Sequence, residues 1–597
     1  MNKANISTPQ PVIESAGFVH SIREYAEALG VALVLAFLFK AFIIEAYSIP
    51  TGSMASTLMG RHKDVFCEAC GFPFQLGASK ESNEGSENPK PADYLPQIVA
   101  GTCPQCQYTM YVGQTPDGRA SRASYSGDRI FVNKSIFNFR EPSRWHVTVF
   151  RYPARPQINY IKRLVGVENE TLLLRNGDVF VRKEGTDEFK IQRKPLRAML
   201  AMLRPVDDND YVLPSLHKLG WKTRWYGDEQ SWNTANDYKS FAGHHSAKDA
   251  PADETAWLRF RNIIPSSAEW NNLMQGKLPD NGETGTPLLV TDFVAYNSQW
   301  TYEPEFGMPH EIHALDLAGG EKKIVCPKNP AGFGLNWVGD LTLSCLLHVE
   351  QASGTAVFRL IKGGIAFQCE IDLASGKASF SIPGVPEFVP FSADTPVKKT
   401  GKYRMMFCNI DEEMRLIVNG KETDTAGKGE YDVYCRPGTL LARDRPPTAL
   451  DLEPAAVGIR NTQVKVEHIK IQRDLYYISC DEMTSRRCDL EKPPFRHDFS
   501  YGEESIRKVL SSPDRWQDFG KTQETFFELG KGQFLMLGDN SAESKDSRLW
   551  TVDRIPYYVD RKFLIGEAVF VYWPHGFRIP GTRLALIPNP SKMRWID

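Results

Sequence analysis

The 597-residue sequence has no excess of charge: 71 Lys and Arg stand against 73 Asp and Glu, a net of −2. That excludes the basic balance expected of a nucleic-acid partner. No ladder of evenly spaced cysteines is present. Four of the 11 sit at Cys67, Cys70, Cys103 and Cys106, and seven are scattered from Cys326 to Cys488, a poor match to a disulfide scaffold. There is no internal repeat. There is also no second long apolar run after residues 28–44, ALGVALVLAFLFKAFII, so the rest of the chain is expected on one side of any membrane. The run is at the short end of what spans a bilayer. Its one charge, Lys40, lies where it can snorkel. A buried core helix or a cleaved signal sequence would also explain it, but no tidy small-residue cleavage site follows. The expectation is a tail over residues 1–24 and an uncleaved transmembrane anchor over 25–46, with too few flanking charges to orient it.

Length requires more than one core, and an aromatic content of 11% leans toward strand. An extended, turn-rich stretch, EAYSIPTGSMASTL over residues 45–58, leads through a core segment taken as 47–66. Residues 67–124 form a cysteine-bounded insert with a polar middle. Strand-like runs fill 125–199, including two alternating stretches around Asn176-Gly177-Asp178, a hairpin signal. From 200 to 475, short β-like runs such as LTLSCLLHV and MRLIVNGKE recur between turn residues, the pattern of a β-sandwich. A helical patch over EFKIQRKPLRAMLAML leads into it. Residues 476–530 read as a connector with some helix, and 531–597 return to strand.

Four short segments, far apart, fit one mechanism: Ile49-Pro50-Thr51-Gly52-Ser53-Met54; Gly127-Asp128-Arg129-Ile130-Phe131-Val132-Asn133-Lys134; Tyr160-Ile161-Lys162-Arg163-Leu164-Val165-Gly166; and Gly538 through Arg548, GDNSAESKDSR. A serine hydroxyl needs a base to take its proton. A lysine serves only if burial lowers its pKa from about 10.4, and apolar neighbours around Lys162 supply that burial. Ser53 lies nine residues beyond Ile44, at most about 30 Å of extended chain, so it stays close to the bilayer surface.

In order and neighbours these segments resemble the type I signal peptidases, Ser/Lys serine proteases, over roughly residues 25–66, 125–185 and 531–575. The resemblance implies Ser53 as nucleophile, Lys162 as general base and Thr51 as an oxyanion-hole hydroxyl beside the Ser53 N–H. It implies Ser544 as a hydroxyl that orients the lysine, and Asp546 with Arg548 as a structural ion pair. Ser541-Ala542-Glu543 departs from the family's usual Arg-Asp-Asn. The implied substrates are signal-peptide-bearing preproteins, the place is the cytoplasmic (inner) membrane, single-pass with the catalytic part on the extracytoplasmic side, and the chemistry needs no cofactor. Two other readings remain: a self-cleaving Ser/Lys repressor-type protease, and a membrane-anchored binding protein with a dead protease remnant.

Cys67-x2-Cys70 and Cys103-x2-Cys106 resemble two zinc knuckles, which together give a closed tetrahedral thiolate site. Two disulfides are the alternative in an exported compartment. The stretch around KYRMMFCNIDEEMRLIVNGKE loosely resembles laminin-G or concanavalin-like jelly-roll modules, so a glycan or protein ligand, or a plain spacer, are both open. The expected fold is mostly β: an N-terminal transmembrane helix and a signal-peptidase-type protease core, interrupted by a small zinc-ribbon-like insert and a large jelly-roll-like sandwich.

Overall fold

The structure, a computed structural model, describes residues 15–86, 89–112, 124–234, 238–246, 254–278, 285–302, 334–479, 489–490, 503–574, 576–577 and 587–596. Helix α1 (Ser15–Phe42) differs from the expected anchor at both ends. It starts upstream, at Ser15, and runs through the polar stretch HSIREYAE. It stops at Phe42, where the apolar run bends into strand β1 (Ile44–Ser48). The apolar part of the helix is therefore residues 28–42, roughly 22 Å of rise against a hydrocarbon core of about 30 Å. Among the described residues no helix is long and apolar enough to cross a membrane. Leu29, Val31, Val34, Leu35 and Phe37 of α1 are each more than half exposed.

Next come two hairpins, β2 (His62–Phe66) with β3 (Pro73–Gly77), and β4 (Gln97–Thr102) with β5 (Thr109–Tyr111). The chain then runs through β6 (Arg129–Asn133), β7 (Val147–Tyr152), β8 (Arg155–Gly166), β9 (Glu170–Arg175) and β10 (Asp178–Lys183). Asn176 and Gly177, both at positive φ, close the β9–β10 hairpin, the backbone a tight two-residue turn requires. The helical patch is shorter than its sequence implies. Helix α2 is Leu196–Met202, and Lys190–Ile191 pairs with β10 instead. Pro195, at the N-cap, has no N–H and disfavours helix in the residue before it.

The large insert holds two antiparallel sheets. Leu341–Val349, Gly401–Ile410 and Thr462–Arg473 lie in one, and Thr355–Lys362, Ile365–Asp372 and Ala455–Arg460 in the other. Their inward side chains, among them Leu343, Phe358, Phe380, Phe407 and Val466, share one apolar core. Part of this insert leaves the sheets. Helix α3 (Ser267–Met274), started by a Ser266/Glu269 capping box, and strand β11 (Trp300–Tyr302) pack on the cysteine hairpins. β11 pairs with β4. Leu216, Trp221, Ile263, Trp270 and Leu273 complete the core of Val65, Phe74, Leu76, Tyr108 and Met110. The small insert, poor in apolar sequence, thus takes part of its core from the large one.

Helix α4 (Glu503–Ser511) lies in the connector, and β12 (Thr525–Leu529), β13 (Gln533–Leu537) and β14 (Leu564–Trp573) follow. One sheet has the order β1–β6–β14–β7–β8–β13, continued by Val559–Asp560, with Arg594–Trp595 pairing β14. A second carries Lys190–Ile191, β10, β9 and β12. The first and last quarters of the chain therefore meet in one sheet.

Candidate functional site

The turn Gly52–Met54 follows β1. Met54 and Leu58, both fully buried, anchor it among Ile49, Ile130, Val132, Val147 and Val149. Ser53, just before Met54, is half-buried and faces a cleft of about 360 Å³ lined by residues 49–53, 158–162 and 296–297 together with Ser79, Asn540 and Lys545. On β8, Lys162 stands opposite Thr148 of β7 and is 4% exposed. Its Nζ donates to Ser53 Oγ at 2.6 Å and to the Ile161 carbonyl at 3.1 Å.

Both of those acceptors are uncharged. Burial lowers the Lys162 pKa to about 8, with Asp546 and Asp539 pulling it back up and Arg548 adding to the fall. Those two carboxylates are already engaged. Arg163 meets Asp539 at 2.9 and 2.7 Å, both fully buried. Arg548 meets Asp546 at 2.9 and 2.8 Å. Burial works to raise both carboxyls, and the arginines outweigh it, holding both below the usual value. The amine next to Ser53 is therefore held well below the ordinary lysine value while the Asp539 and Asp546 carboxyls stay ionised.

Each residue singled out from the sequence has a place. Thr51 is exposed at the cleft rim and makes no capping bond to the turn after it. Asp546 and Arg548 form the expected ion pair, and Asp546 also accepts the Gly538 N–H at 2.9 Å. Ser541, where the family pattern has another residue, accepts from Arg548 Nη1 at 2.7 Å and from the Ile478 N–H at 2.8 Å, so the departure is absorbed into the same network. Ser544 differs from its expectation. Its buried Oγ has no hydrogen-bond partner and makes none to Lys162. Gly538 lies against it: a Cβ there would stand 2.1 Å from Ser544 Oγ and 2.4 Å from the Ser53 carbonyl, so only glycine lets the two loops meet.

Several participants were not singled out. Asp539 and Asn540 stand inside the fourth segment, but their long-range partners are invisible in sequence. The Asn540 N–H donates to the Ser53 carbonyl at 3.1 Å and its Nδ2 to the Gly52 carbonyl at 3.0 Å. Tyr296 and Asn297 come from the large insert, with no local signal.

The four cysteines also converge. Cys67–Cys70 and Cys103–Cys106 occupy the turns of hairpins β2–β3 and β4–β5, each turn closed through a positive φ, at Gly71 and Gln107. Their four Sγ atoms lie within 4.8 Å of one another. Cys67 and Cys106 are 3.6 Å apart, Cys70 and Cys103 3.7 Å. Those separations are too long for disulfides, about 2.05 Å. They fit the edge of a zinc-thiolate tetrahedron, about 3.8 Å for Zn–S bonds of about 2.3 Å. Trp270 of α3 donates its Nε1–H to the Cys106 carbonyl at 3.1 Å, so the large insert braces one knuckle. The four thiols can hold a zinc ion.

A family model described as "Signal peptidase, peptidase S26" matches residues 110–242 and 456–573. The match takes in Lys162 and the Gly538–Arg548 segment and leaves Ser53 outside. Signal peptidase I of Pseudomonas aeruginosa is 36% identical over 164 residues, 22% of this chain and 58% of that protein. Signal peptidase I of Aquifex aeolicus is 41% identical over 46 residues, 8% of this chain and 18% of that protein. The chain thus spans 58% of the length of the first curated relative it matches. Among solved structures, the galectin LEC-6 of Caenorhabditis elegans is 11% identical, covering 22% of this chain and 83% of that one at a TM-score of 0.16. A carbohydrate-binding module, CBM66 from Bacillus subtilis, is 7% identical, covering 22% and 75% at 0.17. Scores that low carry no argument about fold or ligand.

Proposed function

We propose that this chain is a signal peptidase I, a serine endopeptidase that removes signal peptides from exported preproteins with Ser53 as nucleophile and Lys162 as general base. The observation that carries this reading is the 2.6 Å contact between Ser53 Oγ and a lysine whose pKa burial lowers to about 8. The similarity to peptidase S26 and to signal peptidase I proteins supports the class.

Neutral Lys162 takes the Ser53 hydroxyl proton as Oγ attacks the scissile carbonyl carbon. The new oxyanion accepts hydrogen bonds from the Ser53 N–H and the Thr51 hydroxyl, roughly 3–4 kcal/mol for such a donor in other hydrolases. The Lys162 ammonium then gives the proton to the leaving amine, and an ester to Ser53 remains. Water, deprotonated by Lys162, attacks that ester; the amine's proton passes back to Oγ as the acid product leaves. Residues 159–161 of β8 pair with β7 on one side, while β13 pairs only from Arg163 onward. An extended substrate fits along that open edge. No cofactor enters these steps.

Membrane attachment belongs to the same reading. It is supported by the sequence run 28–44 and by the exposed apolar side chains of α1, which lipid would cover. The catalytic body would then sit on the extracytoplasmic face of the cytoplasmic membrane. A structural zinc at Cys67, Cys70, Cys103 and Cys106 would tie the two hairpins together. Elemental analysis of the purified chain should find one zinc, lost in Cys67→Ser/Cys103→Ser. A metal-free parent chain would remove the zinc assignment.

Cleavage of a synthetic preprotein by the detergent-solubilised chain, beside Ser53→Ala and Lys162→Ala, tests the assignment. Cutting at the small-residue site by the parent alone is the expected result. A parent that does not cut, or variants that match it, would overturn it.

A further inference from the structure

Among the described residues the large insert reaches the cleft at one stretch, residues 296–299, and that stretch lies against Gly52, the residue before Ser53. Residues Ala295–Asn297 form a single turn held on both sides. Ser298 Oγ accepts the Thr102 N–H at 3.0 Å, next to Cys103. Tyr296 donates its hydroxyl to the Arg61 carbonyl at 3.0 Å, and its ring lies where a Gly52 Cβ would stand, 2.2 Å from Cε1.

Asn297 is 5% exposed and Asn540 1%. Their carboxamides pair face to face: Asn297 Nδ2 donates to Asn540 Oδ1 at 2.6 Å, and Asn540 Nδ2 donates to Asn297 Oδ1 at 2.8 Å. The second Nδ2 hydrogen of Asn540 goes to the Gly52 carbonyl at 3.0 Å. Asn540 thus spends both amide hydrogens, and Asn297 fixes which way its carboxamide points. Without Asn297 the group can turn over and present Oδ1 to the Gly52 carbonyl, acceptor against acceptor.

The Gly52 carbonyl and the Ser53 N–H belong to one peptide group, which is planar. Whatever orients that carbonyl orients that N–H, the backbone donor assigned above to the oxyanion.

We propose that Asn297, carried by the large insert, is a positioning residue for the Ser53 N–H, acting through Asn540. This rests on the Ser53/Lys162 peptidase reading. The insert is then part of the catalytic apparatus and more than an appendage to it. In this role Asn297 acts on Ser53 only through Asn540. Its loss should therefore fall on kcat, because the oxyanion bond strengthens only in the transition state.

The test is a double-mutant cycle on the full-length chain, measuring kcat and KM for one synthetic preprotein with Asn297→Ala, Asn540→Ala and the pair. Asn297→Ala should lower kcat roughly 10- to 100-fold with KM changed less than about threefold. The double variant should be no slower than Asn540→Ala, because the two act in series. The pH of half-maximal rate should stay at the parent's value, since Lys162 is untouched. A kcat within twofold of the parent, or effects of the two substitutions that multiply, would overturn the proposal. Should an alanine variant lose its cooperative unfolding, Asn297→Asp keeps the shape and the acceptor but cannot donate to Asn540 Oδ1. It should still lose about tenfold in kcat, and parent-like kcat in that variant counts against the proposal. A parent chain that does not cut the preprotein overturns the peptidase reading itself, and the positioning role with it.

Discussion

Two lysines 32 residues apart in sequence are equally buried, Lys162 at 4% exposure and Lys194 at 3%. Each stands over an aromatic ring, Tyr160 at 5.4 Å and Trp145 at 5.2 Å. Their chemistry is opposite. At Lys194, where core meets large insert, Nζ contacts Asp411 at 2.5 Å and Asp474 at 2.7 Å. Burial works to lower its pKa, and the two carboxylates outweigh it, holding it above the ordinary value. At Lys162 the nearby carboxylates are committed to Arg163 and Arg548, and the direct acceptors are a hydroxyl and a carbonyl. Burial wins there. The decisive variable is which partners the surrounding carboxylates already have. A locked ammonium fastens the insert to the core; an amine left without a direct counter-charge can act as a base.

The sharpest way to break that contrast is Lys162→Arg. A guanidinium beside Ser53 would keep its proton, so cleavage should fall roughly 10⁴-fold or more and stay low up to pH 10. Full activity in this variant would mean the base lies elsewhere. Next in size, Lys194→Met should cost about 3–5 kcal/mol in urea unfolding at pH 7, because it strands Asp411 and Asp474 as unpaired buried charges.

The same substitution at the other lysine should have the other sign. The folded-state pKa of Lys162 lies below its unfolded value, so the folded chain binds fewer protons there. The cost is fully present below pH 8 and fades as pH rises toward the unfolded value of about 10.4. Lys162→Met should therefore stabilise the chain at pH 7, by up to about 3 kcal/mol, with the gain gone at pH 10.5. Equal losses of stability in the two methionine variants would erase the distinction. The smallest effect is on the pH profile. Parental cleavage should rise with pH and reach half its plateau near 8, and Lys194→Met should leave that midpoint in place. A midpoint that moves with Lys194 would couple the two sites.

Much of the architecture is readable along the chain because it is local. Asn176-Gly177 meets the backbone demand of a tight hairpin, and LTLSCLLHV is strand Leu341–Val349 residue for residue. The cysteine pairs mark two turns whose hairpins bring four sulfurs together. Boundaries set by competition between elements are less readable. Residues 43 and 44 belong to an apolar run that looks helical throughout, yet Ile44 pairs with Asn133, because the sheet offers ladder bonds that a helix end lacks. Pro195 delays α2 in the same way.

The site divides along the same line. Ser53, Thr51, Lys162 and the Asp546/Arg548 pair stand in short segments whose residue types state their chemistry. Asn297 lies 243 residues from the amide it pairs with, inside a stretch that reads as sandwich. The expected bond from Ser544 to Lys162 is absent here, since a hydroxyl's partner depends on the loop around it.

By itself the sequence determined which groups could react, where many of the turns and strands fall, and that the chain is mostly β, since side-chain chemistry and short-range backbone preference reside in neighbouring residues. Only the tertiary structure decided which buried lysine has its pKa lowered and which is held as an ammonium, that residues 213–273 complete the core of the cysteine hairpins, and that the Asn297 carboxamide pairs with Asn540 beside Gly52. Burial, charge pairing and hydrogen-bond closure are properties of surroundings, and residues hundreds of positions apart supply them.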